Sequence, residues 1–200
     1  MDVSYRSFAD LQANEIRDVD YRIRVHYGRS GIAIMAIHGG GIEPGTTEIA
    51  EAVAGDVHTF YTFSGLKARG NACLHMSSRR FDEPQGIGIA RQARTVVAIH
   101  GCGDSTTMTY VGGRHHRLKR EIKAALAGAG FPVADALRFP GVHPGNVCNK
   151  NRSGMGVQLE ISMAMRLRLF EDMLRLHRKR VTPRFSAYVQ ALQEGIRWFI

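Results

Sequence analysis

Two histidines stand out by what flanks them. His38 follows Ala33-Ile34-Met35-Ala36-Ile37 and precedes Gly39-Gly40-Gly41-Ile42-Glu43. His100 follows Val96-Val97-Ala98-Ile99 and precedes Gly101-Cys102-Gly103. Glu160 stands inside a third apolar segment, Gly156-Val157-Gln158-Leu159-Glu160-Ile161. In each case an apolar run of the kind that forms a buried strand carries an ionisable residue at its end. In open α/β sheets ligands bind beyond the carboxyl ends of strands, so residues far apart in sequence could meet there. The triple-glycine turn lets the backbone fold back, so that Glu43 could reach an ion held by His38. Two His and one Glu form the His₂Glu set of catalytic zinc sites, which leaves a coordination position open for water. A lone acid in an apolar strand is costly unless it is paired or employed. As a general base beside a metal-bound water, Glu160 would be employed. The residues alone leave a second reading open, in which these four are unrelated hydrogen-bonded groups at strand ends. Cys102, close to His100, reads as a small buried filler rather than a nucleophile.

The elements that would position these residues can be read from periodicity. Tyr21 to Tyr27 alternates as a half-buried strand, and Ile32 to Ile37 and Thr95 to Ile99 are continuous apolar runs of strands buried on both faces. Val57 to Phe63, Ala72 to Met76 and Gly156 to Ile161 complete the predicted strands. Thr46 to Ala54 starts a helix, with Thr47 as the expected cap and acids in its first turn. Asp82-Glu83 before Pro84 reads as another helix start. His116 to Ala129 carries apolar residues at helical spacing and stops at Gly130. Ser162 to Arg178 and Pro183 to Trp198 read as helices, the second with proline at a favoured first position. Met163, Met165 and Met173 are expected in the core. Strands alternating with helices predict an α/β fold, a three-layer α/β/α sandwich around a mixed, mostly buried sheet.

Composition bounds the rest. The chain has 200 residues, the size of one domain able to bury its own core. Hydrophobic residues make up 44% and charged residues 22%, which excludes wholesale disorder. The longest uncharged apolar run, Gly31 to Ile37, is too short to span a membrane. The first residues lack the basic and apolar regions of a secretory signal, which predicts a cytoplasmic product, one that host lysis could release. Three cysteines without CxxC spacing argue against a disulfide framework. The net charge of +9 suggests a polyanionic partner without naming it.

Beyond the single residues, a series of short motifs runs along the chain. They are His38-Gly-Gly-Gly-Ile-Glu43-Pro-Gly-Thr-Thr-Glu48, Phe63-Ser-Gly-Leu-Lys67, Gly70-Asn71, Leu74-His75, Phe81-Asp-Glu-Pro84, Ile99-His100-Gly101, Tyr110-Val-Gly-Gly-Arg114, Asn146-x-x-Asn149 and Gly156-Val-Gln-Leu-Glu160. Their order and wording resemble the phage-type poly-γ-glutamate hydrolase family over roughly residues 5 to 170, leaving residues 171 to 200 as a basic C-terminal helical extension of a single hydrolase domain. The resemblance implies a zinc carboxypeptidase-like fold with a mixed eight-stranded sheet. It implies one Zn²⁺ on His38, Glu43 and His100, Glu160 as catalytic base, and hydrolysis within the γ-linked glutamate polymer that coats some bacteria. Asn149-Lys150 stands where many relatives have Asn-Arg, a pair similar to the carboxylate clamp of carboxypeptidases. Lysine offers a point charge where arginine offers a fork, and Arg152 is near enough in sequence to substitute. Asn149, Lys150, Arg114 and His75 are the residues expected to meet substrate, on a monomeric enzyme.

The positive charge gathers at Arg114 to Lys123 and Arg166 to Arg184. The default reading of both is a solvated helix face; the second could also steer a polyglutamate chain. Two other functions fit the sequence. One is a basic nucleic-acid-binding or replication accessory protein of phage origin, disfavoured because no aromatics interleave with the basic residues and no nucleic-acid-binding signature appears. The other is an amidase acting on other γ-glutamyl or cell-wall isopeptide bonds.

Overall fold

The computed structural model describes residues 5–174, 178 and 180–199. Seven strands form its sheet: β1 (Tyr21–His26), β2 (Ile32–Gly40), β3 (Thr59–Gly65), β4 (Thr95–Cys102), β5 (Thr109–Gly113), β6 (Val133–Asp135) and β7 (Val157–Ser162). Their order across the sheet is β1-β3-β2-β4-β7-β5-β6. The central strands β3, β2, β4 and β7 run parallel, whereas β1 and β5 pair antiparallel with β3 and β7. The sheet is therefore mixed, as expected, but it has seven strands among the described residues where eight were implied.

Alternation along the strands builds two cores. Ile32, Ile34, Val97, Ile99, Val157, Leu159 and Ile161 face one side. They pack there with α2 (Thr46–Ala54), α4 (His116–Gly128), α5 (Met163–Leu169) and α6 (Pro183–Ile196). Ala33, Met35, Val96 and Ala98 face the other side, under α1 (Phe8–Asn14) and α3 (Pro84–Gln92). Each strand residue thus serves one of two cores, which is why β2 and β4 read as unbroken apolar runs. Helix α6 belongs to the first core through Phe185, Tyr188, Leu192 and Ile196. It is an integral part of the layer and no appendage. No helix among the described residues is long and apolar enough to cross a membrane.

Several local expectations give way to tertiary context. Ala72 to Met76 is no strand: Gly70 turns left-handed at φ 75° and a short 3₁₀ turn spans Asn71–Leu74. The cap of α2 is Gly45, not Thr47, whose hydroxyl instead bonds Thr62 and the Gly40 N–H. The predicted helix from Ser162 to Arg178 stops at Leu169. Phe170 turns extended, bridges Val181, and buries its ring beside Phe185. The remainder of that prediction lies partly outside the described residues, as do Arg175 and Lys179. Glu83 does cap α3, accepting from the Gln85 and Gly86 amides. Met165 is buried, and Met173 packs at the core's margin.

The second basic run is not one solvated face. Arg166 and Arg178 are buried, while Arg168, Arg180 and Arg184 are exposed. Arg178 pairs with Glu48 at 3.0 Å. On α4, Lys119 and Lys123 pair with Asp135.

Candidate metal centre

Because β2, β4 and β7 are parallel neighbours, their carboxyl ends share one edge of the sheet. His100 and Glu160 lie directly opposite each other in the β4–β7 register. Strands in register stand about 4.8 Å apart, so the two side chains rise side by side from the same face. His38 needs a further device to join them. The β2–β3 register shifts between Ala36 and Gly39, and such irregularities re-aim side chains. The turn that follows is closed by the Glu43 N–H donating to the His38 carbonyl at 2.8 Å. Gly40 adopts φ 65° there, and a Cβ on it would stand 2.4 Å from the Gly65 carbonyl oxygen. Only glycine fits that step.

The result is a tight cluster. His38 Nδ1 lies 2.9 Å from Glu43 Oε1 and 3.1 Å from His100 Nδ1. His100 Nδ1 lies 3.5 Å from Glu43 Oε2. A tetrahedral ion with bonds near 2.05 Å spaces its ligand atoms by about 3.3 Å, so these separations fit a zinc-sized ion. The outer nitrogens support the same use. His38 Nε2 lies 2.7 Å from the Met76 carbonyl, which can only accept, so Nε2 carries the proton and Nδ1 keeps its lone pair for a cation. His100 Nε2 stands 3.3 Å from Ser78 Oγ. The Gly101 N–H donates to Glu43 Oε2 at 2.9 Å and fixes the carboxylate. Burial pushes the Glu43 carboxyl up, but His38 and His100 outweigh it and hold it well below the usual carboxylate range. His100 is raised: burial works against its charge, and the bond to Glu43 overcomes that. The donor set thus matches the chemistry of a dication held by two imidazoles and a carboxylate.

His75 forms a second grouping with His38 and Glu43, whose ligand-capable atoms all lie within 4.8 Å of one another. Its ring stacks on His38 at 3.9 Å, and its Nε2 is 3.7 Å from Glu43 Oε1. The shorter His38–His100 approach and the burial of both rings favour His100 as the third ligand. His75, with its side chain 44% exposed, faces the opening. Burial, reinforced by His38, pushes its pKa down to about 4, so it is neutral near pH 7.

Glu160 is held by a polar chain that sequence reasoning missed. Gln158 Nε2 donates to Glu160 Oε1 at 3.1 Å and to the Phe139 carbonyl at 3.0 Å, and Asn146 Nδ2 donates to Gln158 Oε1 at 2.7 Å. The two-residue strand period puts Gln158 on the face of Glu160, which was the available signal. Burial raises the Glu160 pKa, although His100 pulls it down. Met76 and Ser78 gave no signal, since one acts through its carbonyl and the other through a common hydroxyl.

These residues open into a cleft of about 1310 Å³, lined also by Ser78, Arg79, Tyr110, Arg138 and His143. The expected substrate contacts mostly fall elsewhere. Asn149 is buried, donating to the Gly141 and His143 carbonyls and accepting from the Gly156 N–H, so it braces the cleft's loop from behind. Lys150 donates to the Phe81 carbonyl, and Arg114 is exposed; neither lines the cleft. Of the four, His75 alone does.

Residues 5–191 match the family model described as poly-gamma-glutamate hydrolase. The chain belongs to that family. Among curated proteins, the chain is 36% identical over 169 residues to the UPF0714 protein YndL and to the SPbeta prophage-derived UPF0714 protein YoqZ, both of Bacillus subtilis (strain 168). Each match covers 83% of this chain but 66% of YndL and 61% of YoqZ, so the chain spans slightly under two thirds of those relatives. A solved bacteriophage poly-gamma-glutamate hydrolase superposes with a TM-score of 0.94 at 34% identity, covering 98% of this chain and 97% of that one. A zinc-free apo form of YndL superposes with a TM-score of 0.93 at 31% identity, covering 96% of each. The family fold is zinc carboxypeptidase-like, as the sequence motifs implied.

Proposed function

We propose that this poly-gamma-glutamate hydrolase family member is a zinc-dependent amidohydrolase that cleaves γ-glutamyl bonds of poly-γ-glutamate. One observation carries the reading: the Nδ1 atoms of His38 and His100 lie 3.1 Å apart and each lies within 3.5 Å of one oxygen of the Glu43 carboxylate, a spacing suited to zinc, with a second carboxylate in register beside them. The zinc-free form in which YndL is described supports zinc as the ion. Held by His38, Glu43 and His100, zinc would supply a Lewis acid that brings the pKa of water toward about 7 and polarises a carbonyl.

The rest is done by the chain's own residues. Glu160 takes the proton of the attacking water, and its raised pKa lets it hand that proton to the departing nitrogen. Gln158 keeps the Glu160 carboxylate aimed by donating to one of its oxygens. Neutral His75, stacked on His38 at the opening, offers an N–H to the oxygen that gains charge. Arg79 and Arg138 are the guanidinium groups lining the cleft, suited to the free α-carboxylates of a γ-linked chain.

The test is incubation of purified protein with poly-γ-glutamate and Zn²⁺, following chain length with and without EDTA. Shortening that EDTA abolishes supports the reading. Cleavage indifferent to EDTA, or none with zinc present, contradicts it.

A further inference from the structure

Arg166 is one of the most deeply buried side chains, 2% exposed. Its guanidinium makes three hydrogen bonds to backbone carbonyls. Nη1 donates to Pro44 at 2.6 Å, Nη2 to Cys102 at 2.9 Å and Nε to Ile161 at 3.1 Å. Each acceptor sits just downstream of a site residue. Pro44 follows Glu43, Cys102 follows His100-Gly101, and Ile161 follows Glu160. One rigid planar group thus spans the three chain segments that deliver a metal ligand, another metal ligand and the base.

We propose that Arg166 is a positioning residue, whose three-way clamp sets the spacing of Glu43, His100 and Glu160. The proposal rests on the zinc-hydrolase reading and adds a residue that touches neither metal nor substrate. Only arginine offers several donors in a fixed plane; lysine's three donors radiate from one mobile nitrogen and cannot reach carbonyls set around the width of a guanidinium. Gly101 belongs to the same device. A Cβ at Gly101 would stand 2.6 Å from Arg166 Cζ and 2.9 Å from its Nε. The glycine after His100 is therefore the space the guanidinium occupies.

The test compares Arg166→Lys with Arg178→Lys in the full chain. Arg178 is a buried arginine too, but it binds Glu48 and the Met173 carbonyl. Three quantities are read: zinc dissociation constant by chelator competition, kcat and KM on poly-γ-glutamate, and melting temperature. Residues that support metal ligands from behind typically matter by 10- to 100-fold in affinity or activity. Arg166→Lys is expected to weaken zinc by about that factor and to lower kcat about tenfold or more with little change in KM. Arg178→Lys should lose comparable thermal stability while leaving zinc affinity and kcat within about twofold. If the two variants behave alike, or if Arg166→Lys keeps wild-type zinc affinity and kcat, the proposal is overturned. Should Arg166→Lys fail to fold, Gly101→Ala keeps the arginine and only pushes it off its carbonyls; the same split is required of it. A wild-type chain that neither binds zinc nor shortens the polymer overturns the functional reading itself, a result distinct from wild-type activity with an indifferent Arg166→Lys.

Discussion

Replacing Gly101 by alanine adds one methyl group at the most crowded point of the site. The new Cβ would approach Arg166 Cζ to 2.6 Å and both Nε and Nη2 to 2.9 Å, where carbon atoms normally keep about 3.5 Å. Gly101 lies on β4, held by pairing with β7 and by its N–H bond to Glu43, so the arginine must yield. Moving the guanidinium by that much breaks at least two of its three bonds to Pro44, Cys102 and Ile161. Hydrogen bonds of charged groups contribute about 1.5–3 kcal/mol each, so the expected loss is about 3–6 kcal/mol. A domain of this size loses about 2–4 °C of melting temperature per kcal/mol. Thermal unfolding by circular dichroism should therefore show a drop of at least about 6 °C. The comparison variant is Gly103→Ala, whose added Cβ meets nothing within 4 Å, and it should melt within about 2 °C of wild type. A Gly101→Ala protein that melts like wild type would refute the idea that the guanidinium is locked beneath β4.

Other consequences concern the chemistry. Glu160→Gln should retain zinc by elemental analysis and lose about 10²- to 10⁴-fold in kcat, the usual share of a general base; full activity would remove Glu160 from that role. His38→Ala should purify without stoichiometric zinc, and full metal retention would remove it from the ligand set. Burial raises the Glu160 pKa above its ordinary 4.5. The base works deprotonated, so kcat/KM should fall as pH drops through that raised value, with the acid limb above pH 4.5. The Glu160→Gln variant should lose this limb, and a wild-type profile flat to below 4.5 would contradict the assignment. Ligand binding to the native state stabilises it by mass action, so EDTA should lower the melting temperature of the zinc-loaded protein, and an unchanged melting curve would speak against a structural grip on the ion.

The cluster at the strand ends was legible in sequence because its members interrupt or follow apolar runs of the kind that buried strands form. His38, His100 and Glu160 sit at the ends of β2, β4 and β7, and parallel neighbours bring their carboxyl ends to one edge. Glu43 was legible through its glycine turn, closed by a backbone bond to His38. What failed to show was whatever acts across the fold. Arg166 looks like any basic residue of an amphipathic helix, and only the packing of α5 under three chain ends makes it interior. Phe170 has helical neighbours in sequence, yet the backbone turns extended there and its ring is buried beside Phe185. Asn149 carried the right residue type for a substrate contact, but its amide is used on three backbone groups of the cleft's supporting loop. The strand expected at Ala72 to Met76 failed because Gly70 and Asn71 close a turn, with Asn71 Nδ2 bonded to the Lys67 carbonyl.

Everything proposed for the chemistry turns on a zinc ion held between two imidazoles and a carboxylate at the strand ends. A crystal of the zinc-loaded protein measured at the zinc absorption edge tests it directly. One anomalous peak is expected within about 2.0–2.2 Å of His38 Nδ1, His100 Nδ1 and a Glu43 carboxylate oxygen, with the Glu160 carboxylate beside it and unligated. A peak bonded to His75 in place of His100, or no peak at the β2–β4–β7 edge, would contradict it.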